Sequence, residues 1–237
     1  MMFDSPYQVR MGPTLTPMVK YLVLACVGVS VLQTLSPGQD IEQIFGLTSY
    51  RVITSLFIWQ VASYIFLHGG FWHLLFNMFG LWMFGCELER YWGSREFLRF
   101  FLVTGVGAGI LSVVVEPFSV VPTIGASGSV YGILMAYGMM FPERLVYLYF
   151  LFPVKVKYFV AILGIIAFFA AVGSGGSGIA HTAHLGGMVV AWLYLKGLLS
   201  PANVRQKYYR WRLKRMRDRF RVVQGKKRKR EDDFWIN

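Results

Sequence analysis

Apolar residues fall into six runs, at about 18–35, 71–88, 97–116, 127–141, 157–172 and 179–197. Most approach the ~20 residues a helix needs to cross a bilayer. Helix-breaking clusters separate them: Ser36-Pro37-Gly38, Trp92-Gly93-Ser94, Glu116-Pro117, Phe141-Pro142-Glu143 and the stretch from Gly173 to Gly178. The pattern predicts an all-α membrane protein with six transmembrane helices.

Two segments depart from a plain bundle. Residues 37–67 are too long for a tight connection and carry Phe45, Tyr50, Phe57, Trp59 and Tyr64. Aromatic rings favour the headgroup level, so this segment is expected to be an external loop partly embedded in the interface. The fourth run, Ser127 to Phe141, rises only about 21 Å at 1.5 Å per residue, against ~30 Å of hydrocarbon. With its C-terminal end at the cytoplasmic face, Ser127 is expected about 9 Å below the outer surface. Val121 to Ala126 must then descend as non-helical backbone, which is tolerated only when buried in protein or lining a water-filled cavity.

Charge sets the orientation. Placing the N-terminus in the cytoplasm puts Arg10, Lys20, Arg90, Arg95, Arg99, Arg144, Lys155, Lys157, Lys196 and the C-terminal tail inside, and leaves only Arg51 outside. That satisfies the bias of Lys and Arg toward cytoplasmic loops. The expected divisions are a cytoplasmic segment 1–17, a membrane domain 18–200 and a basic cytoplasmic tail 201–237. No A-x-A-like cleavage site follows a short apolar core near the N-terminus, so no removable signal peptide is expected.

Composition agrees with a membrane protein. Of 237 residues, 55% are hydrophobic and 15% charged, against roughly 25% charged in soluble domains; mean hydropathy is +0.49. The net charge of +12 is concentrated, because 14 of 24 Lys and Arg lie between Arg205 and Arg230. A basic stretch after a transmembrane helix suits anionic lipid, so the expected partners are the bilayer, with anionic lipids at the tail, and no nucleic acid. Cys26 and Cys86 make no disulfide framework and read as small apolar core residues.

Candidate chemistry lies inside the runs. Ionisable groups at bilayer depth are costly and usually face a cavity, a relay or a partner. Ser127 opens the fourth run within Gly125-Ala126-Ser127-Gly128, where free backbone N–H groups and the helix dipole would favour an oxyanion. His184 stands early in the sixth run, before Leu185-Gly186-Gly187, whose glycines permit close helix approach. No Asp or Glu occupies the middle of any run, so nucleophilic chemistry must use a Ser-His dyad. Tyr131 shares a helix face with Ser127 and could stack on the imidazole. His73 and Asn77 form an i, i+4 pair of hydrogen-bond donors near the outer end of the second run, as an oxyanion hole requires. His68, His73, His181 and His184 could instead form a metal site, an uncommon all-imidazole set.

Together these residues resemble the rhomboid intramembrane serine proteases. The matching pieces are His68, the run from His73 through Asn77, Glu89-Arg90 with Trp92-Gly93, Gly125-Ala126-Ser127-Gly128 with Tyr131, and Ala183-His184-Leu185-Gly186-Gly187. The resemblance covers roughly residues 59–195. It implies a rhomboid-like six-helix bundle with a short central fourth helix and an embedded first external loop, acting as a serine endopeptidase on transmembrane substrates near their outer ends. It makes Ser127 the nucleophile and His184 the base, supported by Tyr131. The Ser127 N–H, His73 and Asn77 form its oxyanion hole, within the frame of Gly125 and Gly128. No cofactor or metal is implied. The base has one ambiguity: the family's glycine spacing fits Gly176 before His181, whereas Leu-Gly-Gly fits only His184. A bacterial inner membrane is the expected location. A membrane binder of client helices and a histidine-lined metal transporter remain as alternative functions.

Overall fold

The computed structural model describes residues 14–36, 40–148, 152–173 and 179–197. The basic tail, most of the N-terminal segment and Gly176 lie outside them.

Helix α1, Pro17–Leu35, begins with proline at its first position, where the missing N–H costs nothing. Helix α5, Phe71–Gly80, passes through a π-helical turn, Leu81–Gly85, into α6, Cys86–Trp92. The second apolar run is therefore one bent rod, ending four residues later than its hydrophobicity suggested. Gly93, at φ +83°, supplies the left-handed conformation that ends it. Helix α7, Ser94–Val115, follows, then α8, Ser127–Met140, α9, Val156–Gly173, and α10, Ile179–Leu195. Each of the six apolar runs is thus helical. Helices α1, α7 and α9 are long and apolar enough to cross a membrane by themselves. With 14 residues, α8 is shorter than the hydrocarbon layer.

Segment 37–67 is not a plain loop. It contains α2, Asp40–Phe45, α3, Ser49–Thr54, α4, Gln60–Ser63, and a 3₁₀ turn, Tyr64–Phe66. Gln60, fully buried, ties these pieces together: its Oε1 accepts from Thr48 N–H and its Nε2 donates to the carbonyls of Gln43 and Ile44. A second departure from the sequence reading joins α8 to α9. Strands β1, Leu145–Leu148, and β2, Phe152–Lys155, pair antiparallel, and Glu143 bridges Lys155 and Lys157 beside them.

The core lies around α8, which packs against α7, α9 and α10. Phe97, Phe100, Phe101, Leu81, Ile133 and Ala136 are fully buried there. Large apolar side chains also cover the outside: Leu24, Leu32 and Leu35 on α1, Phe71, Trp72 and Phe76 on α5, and Ile162, Ile165 and Phe169 on α9 are all exposed. In water such a surface would aggregate; in lipid it is the solvated side.

Glu89, 3% exposed, fastens the start of α1 to the junction of α6 and α7. Its carboxylate accepts from the backbone N–H groups of Met18 and Val19, both at 2.9 Å, and from the hydroxyls of Thr16 and Ser94. Helix N-termini leave such N–H groups without intrahelical partners, so Glu89 caps α1 from another element. Arg90 beside it donates to the carbonyl of Thr14.

Candidate active site

Before α8 the chain runs without helix, as its length required, and backbone hydrogen bonds satisfy it. Leu47 and Thr123 exchange bonds of 2.9 and 2.8 Å, Tyr50 N–H donates to Ser119 O at 3.0 Å, and Gly125 N–H donates to Tyr64 O at 2.9 Å. The segment from 37 to 67 thus supplies the partners that buried backbone needs. Gly125 has φ +124°, a conformation costly for residues with a Cβ. This turn delivers Ser127 as the first residue of α8.

Ser127 Oγ lies 2.8 Å from His184 Nε2. With the proton of a neutral imidazole on Nδ1, the serine hydroxyl donates to Nε2, the geometry of a nucleophile with its base. His184 Nδ1 is buried without a partner among the described residues, so no carboxylate orients the ring. The Tyr131 ring lies on its face, stacked on His184 at 4.2 Å between centroids and 2° between planes. His181, one helical turn earlier, meets the His184 ring edge-on at 5.7 Å. Of the two histidines, His184 therefore faces the serine.

The spacing between the two helices is a backbone contact. A Cβ on Gly187 would overlap the carbonyl of Gly128, and one on Gly186 would come within 3.1 Å of Ala108 Cα. Gly128 in turn leaves room for Ala108, at 2.9 Å from the position of its absent Cβ. Only glycine permits α10 to bring His184 to the start of α8.

His73 borders the serine on the α5 side. Its Nδ1 accepts from Gly69 N–H at 3.2 Å, which leaves the proton on Nε2. That nitrogen is 2.7 Å from the point a Gly125 Cβ would occupy, and Ser127 Oγ is 3.7 Å from the same point. Gly125 thus keeps clear a small space bordered by the His73 ring N–H and the Ser127 hydroxyl. Asn77, 5% exposed, donates through Nδ2 to His73 O at 2.8 Å; this bond engages one of its two amide protons within its own helix. His68 lies edge-on to His73 at 5.3 Å. The sequence motifs thus converge on one place, with Ser127, His184 and Tyr131 in direct contact and His73 across Gly125.

Two contributors went unread in the sequence. Tyr64 is 1% exposed; its carbonyl holds Gly125, and its hydroxyl donates to Gly105 O at 2.7 Å. No local signal separates Tyr64 from Tyr50 or Trp59. Glu116 accepts from the Thr182 hydroxyl at 3.2 Å, linking the end of α7 to the turn of α10 that carries His184. Among the described residues no group of three or more His, Cys, Asp and Glu is arranged to hold a metal ion.

The Rhomboid domain family model matches residues 55–201, more than half of the chain. The chain is 30% identical over 204 residues to Rhomboid protein 1, mitochondrial, of Saccharomyces cerevisiae, covering 81% of this chain and 58% of the yeast protein. It is 38% identical to Rhomboid protease GluP of Bacillus subtilis, over 39% of this chain and 18% of that protein. It is also 38% identical to the Putative rhomboid protease YdcA of the same organism, over 35% of this chain and 41% of the relative. In each case the match spans less than two thirds of the relative's length. With its apolar side chains turned outward and its match running from segment 37–67 past α10, the chain is an integral membrane protein and belongs to the rhomboid family.

Proposed function

We propose that the protein is an intramembrane serine endopeptidase that hydrolyses a peptide bond near the outer end of transmembrane substrates. The observation that carries this reading is the 2.8 Å contact between Ser127 Oγ and His184 Nε2. In the reaction Ser127 Oγ attacks the substrate carbonyl carbon while His184 Nε2 takes the hydroxyl proton. The proton passes to the leaving amine as the C–N bond breaks, leaving an ester on Ser127. A water, deprotonated by the same imidazole, then attacks the ester and releases the acid. The Ser127 N–H, His73 Nε2–H and the free amide proton of Asn77 stabilise the oxyanion. Gly125 and Gly128 frame the serine, and Tyr131 holds the imidazole.

In this reading all six long helical rods cross the membrane, with both termini cytoplasmic and α8 as the short central one. Segment 37–67 is embedded in the outer interface. Residues 1–17 form a cytoplasmic segment, 18–200 the membrane domain and 201–237 a basic tail that binds anionic lipid. Location in a bacterial inner membrane fits the positive-inside pattern; relatives also include proteins named as mitochondrial. Co-reconstitution of the full chain with single-pass helical substrates tests the activity. The wild type should yield discrete fragments and Ser127→Ala none; fragments from Ser127→Ala overturn the proposal.

A further inference from the structure

A second cavity, of about 350 Å³, lies away from Ser127 between the last turns of α1, α2 and the start of α5. Its polar wall comprises Ser30, Gln33, Thr34, Glu42 and His68. Its apolar wall includes Val27, Val31 and Phe71, all exposed on the bundle's outer surface.

Gln33 is spent within the wall: its Nε2 donates to Glu42 Oε1 at 3.0 Å and to His68 O at 3.3 Å, and its Oε1 accepts from His68 N–H at 3.0 Å. Thr34 donates its hydroxyl proton to Ser30 O at 2.9 Å. His68 is 4% exposed, and its Nδ1 lies 3.2 Å from the carbonyl of Phe66, which can only accept. The ring proton is therefore on Nδ1, and Nε2, buried without a partner, is an acceptor. Ser30 Oγ is likewise buried without a partner. Glu42 pairs with no Lys, Arg or His among the described residues. Among the described residues the lining thus holds a carboxylate with no cation to balance it, beside an imidazole lone pair and a hydroxyl that are themselves buried. Its complement is a cationic hydrogen-bond donor.

Size and position narrow the class. A single water claims ~30 Å³, so a bare ion would leave most of the space empty, whereas small-molecule sites begin near ~300 Å³. The cavity stands where the α1 surface ends and α5 starts, and it opens between side chains that face lipid. We propose that it is a lateral binding site for a phospholipid with a primary ammonium headgroup, such as an ethanolamine lipid. The ammonium sits by Glu42, and the acyl chains lie along Val27, Val31 and Phe71. A quaternary choline headgroup has no N–H to donate and binds less well. The inference rests on the topology proposed above, with α1 ending at the outer face, and not on the serine chemistry. The edge-on contact of His68 with His73 places this lipid one ring away from the proposed oxyanion hole.

The test is native mass spectrometry of the full chain released from nanodiscs of mixed ethanolamine and choline lipids. The wild type should retain one ethanolamine lipid in preference to choline lipid. Glu42→Gln, which keeps an acceptor for Gln33, should lower that preference about tenfold. Ser30→Leu, which fills the cavity, should remove the bound lipid while the protein stays monodisperse. Equal retention of both lipids by the wild type overturns the proposal, as does an unchanged preference in Glu42→Gln. Binding of soluble phosphoethanolamine without retention of the lipid would assign the ammonium site to a water-soluble amine and overturn the lipid assignment. None of these readings depends on proteolysis.

Discussion

Gly187 of α10 rests on the backbone carbonyl of Gly128 in α8, with no room for a Cβ between them. Gly128 follows Ser127 and Gly187 lies three residues after His184, so this contact fixes the distance between the proposed nucleophile and its base. Gly187→Ala must push the helices apart. Overpacking of this kind costs about 1–3 kcal/mol, and a displacement near 1 Å costs roughly 10²-fold in rate. The expected outcome is a folded protein with turnover reduced about a hundredfold, measured by fragment yield in liposomes. Wild-type turnover would show that the contact does not set the site.

Gly125 carries a different constraint, because its φ of +124° and its proximity to His73 both exclude a side chain. Gly125→Ala introduces backbone strain of about 1–3 kcal/mol and intrudes on the proposed oxyanion position. Loss of an oxyanion donor alone costs ~10²–10³ in rate. The variant should therefore lose at least a hundredfold in turnover with a small drop in Tm. A large drop in Tm with full activity below it would contradict the reading.

Tyr131 is expected to act through its ring. Stacked aromatic pairs contribute about 0.5–1.5 kcal/mol beyond their burial. Tyr131→Phe should turn over at about the wild-type rate, and Tyr131→Ala should fall by roughly tenfold. A loss in Tyr131→Phe equal to that in Tyr131→Ala would assign the role to the hydroxyl.

Glu89 supports the scaffold and touches no proposed catalytic group. Its removal strands the first-turn amides Met18 and Val19 and two hydroxyls, and an unsatisfied buried donor costs about 1–3 kcal/mol. Glu89→Ala should lower Tm markedly, and Glu89→Gln should lower it less. Fragment yield per folded molecule should stay near that of the wild type. An unchanged Tm in Glu89→Ala would contradict the capping role.

The six long helices were legible because each is a sustained apolar run closed by Gly, Pro or charge. The short α8 was legible through its length, and the meeting of Ser127, Tyr131 and His184 through motif and helical period. The interior of segment 37–67 was not. Helices of four to six residues, such as α2 and α4, span less than two turns, and long-range bonds from Gln60 and Trp59 to the carbonyls of 43 and 44 hold them. The β1–β2 hairpin escaped for a related reason. Its four-residue strands lie in a charged connection between two apolar runs, and their pairing is a contact between positions ten residues apart at Leu145 and Lys155. The role of Tyr64 depends on its carbonyl, which every residue possesses, and only the folded chain selects it.

The most direct test of the central claim is labelling of the purified full chain with a fluorophosphonate probe, which reacts with an activated serine. Wild type, Ser127→Ala, His181→Ala and His184→Ala are compared at equal folded concentration. The proposed base, 2.8 Å from Oγ, predicts labelling of the wild type and of His181→Ala, and loss of labelling in Ser127→Ala and His184→Ala. Labelling that survives in His184→Ala but disappears in His181→Ala would contradict the account.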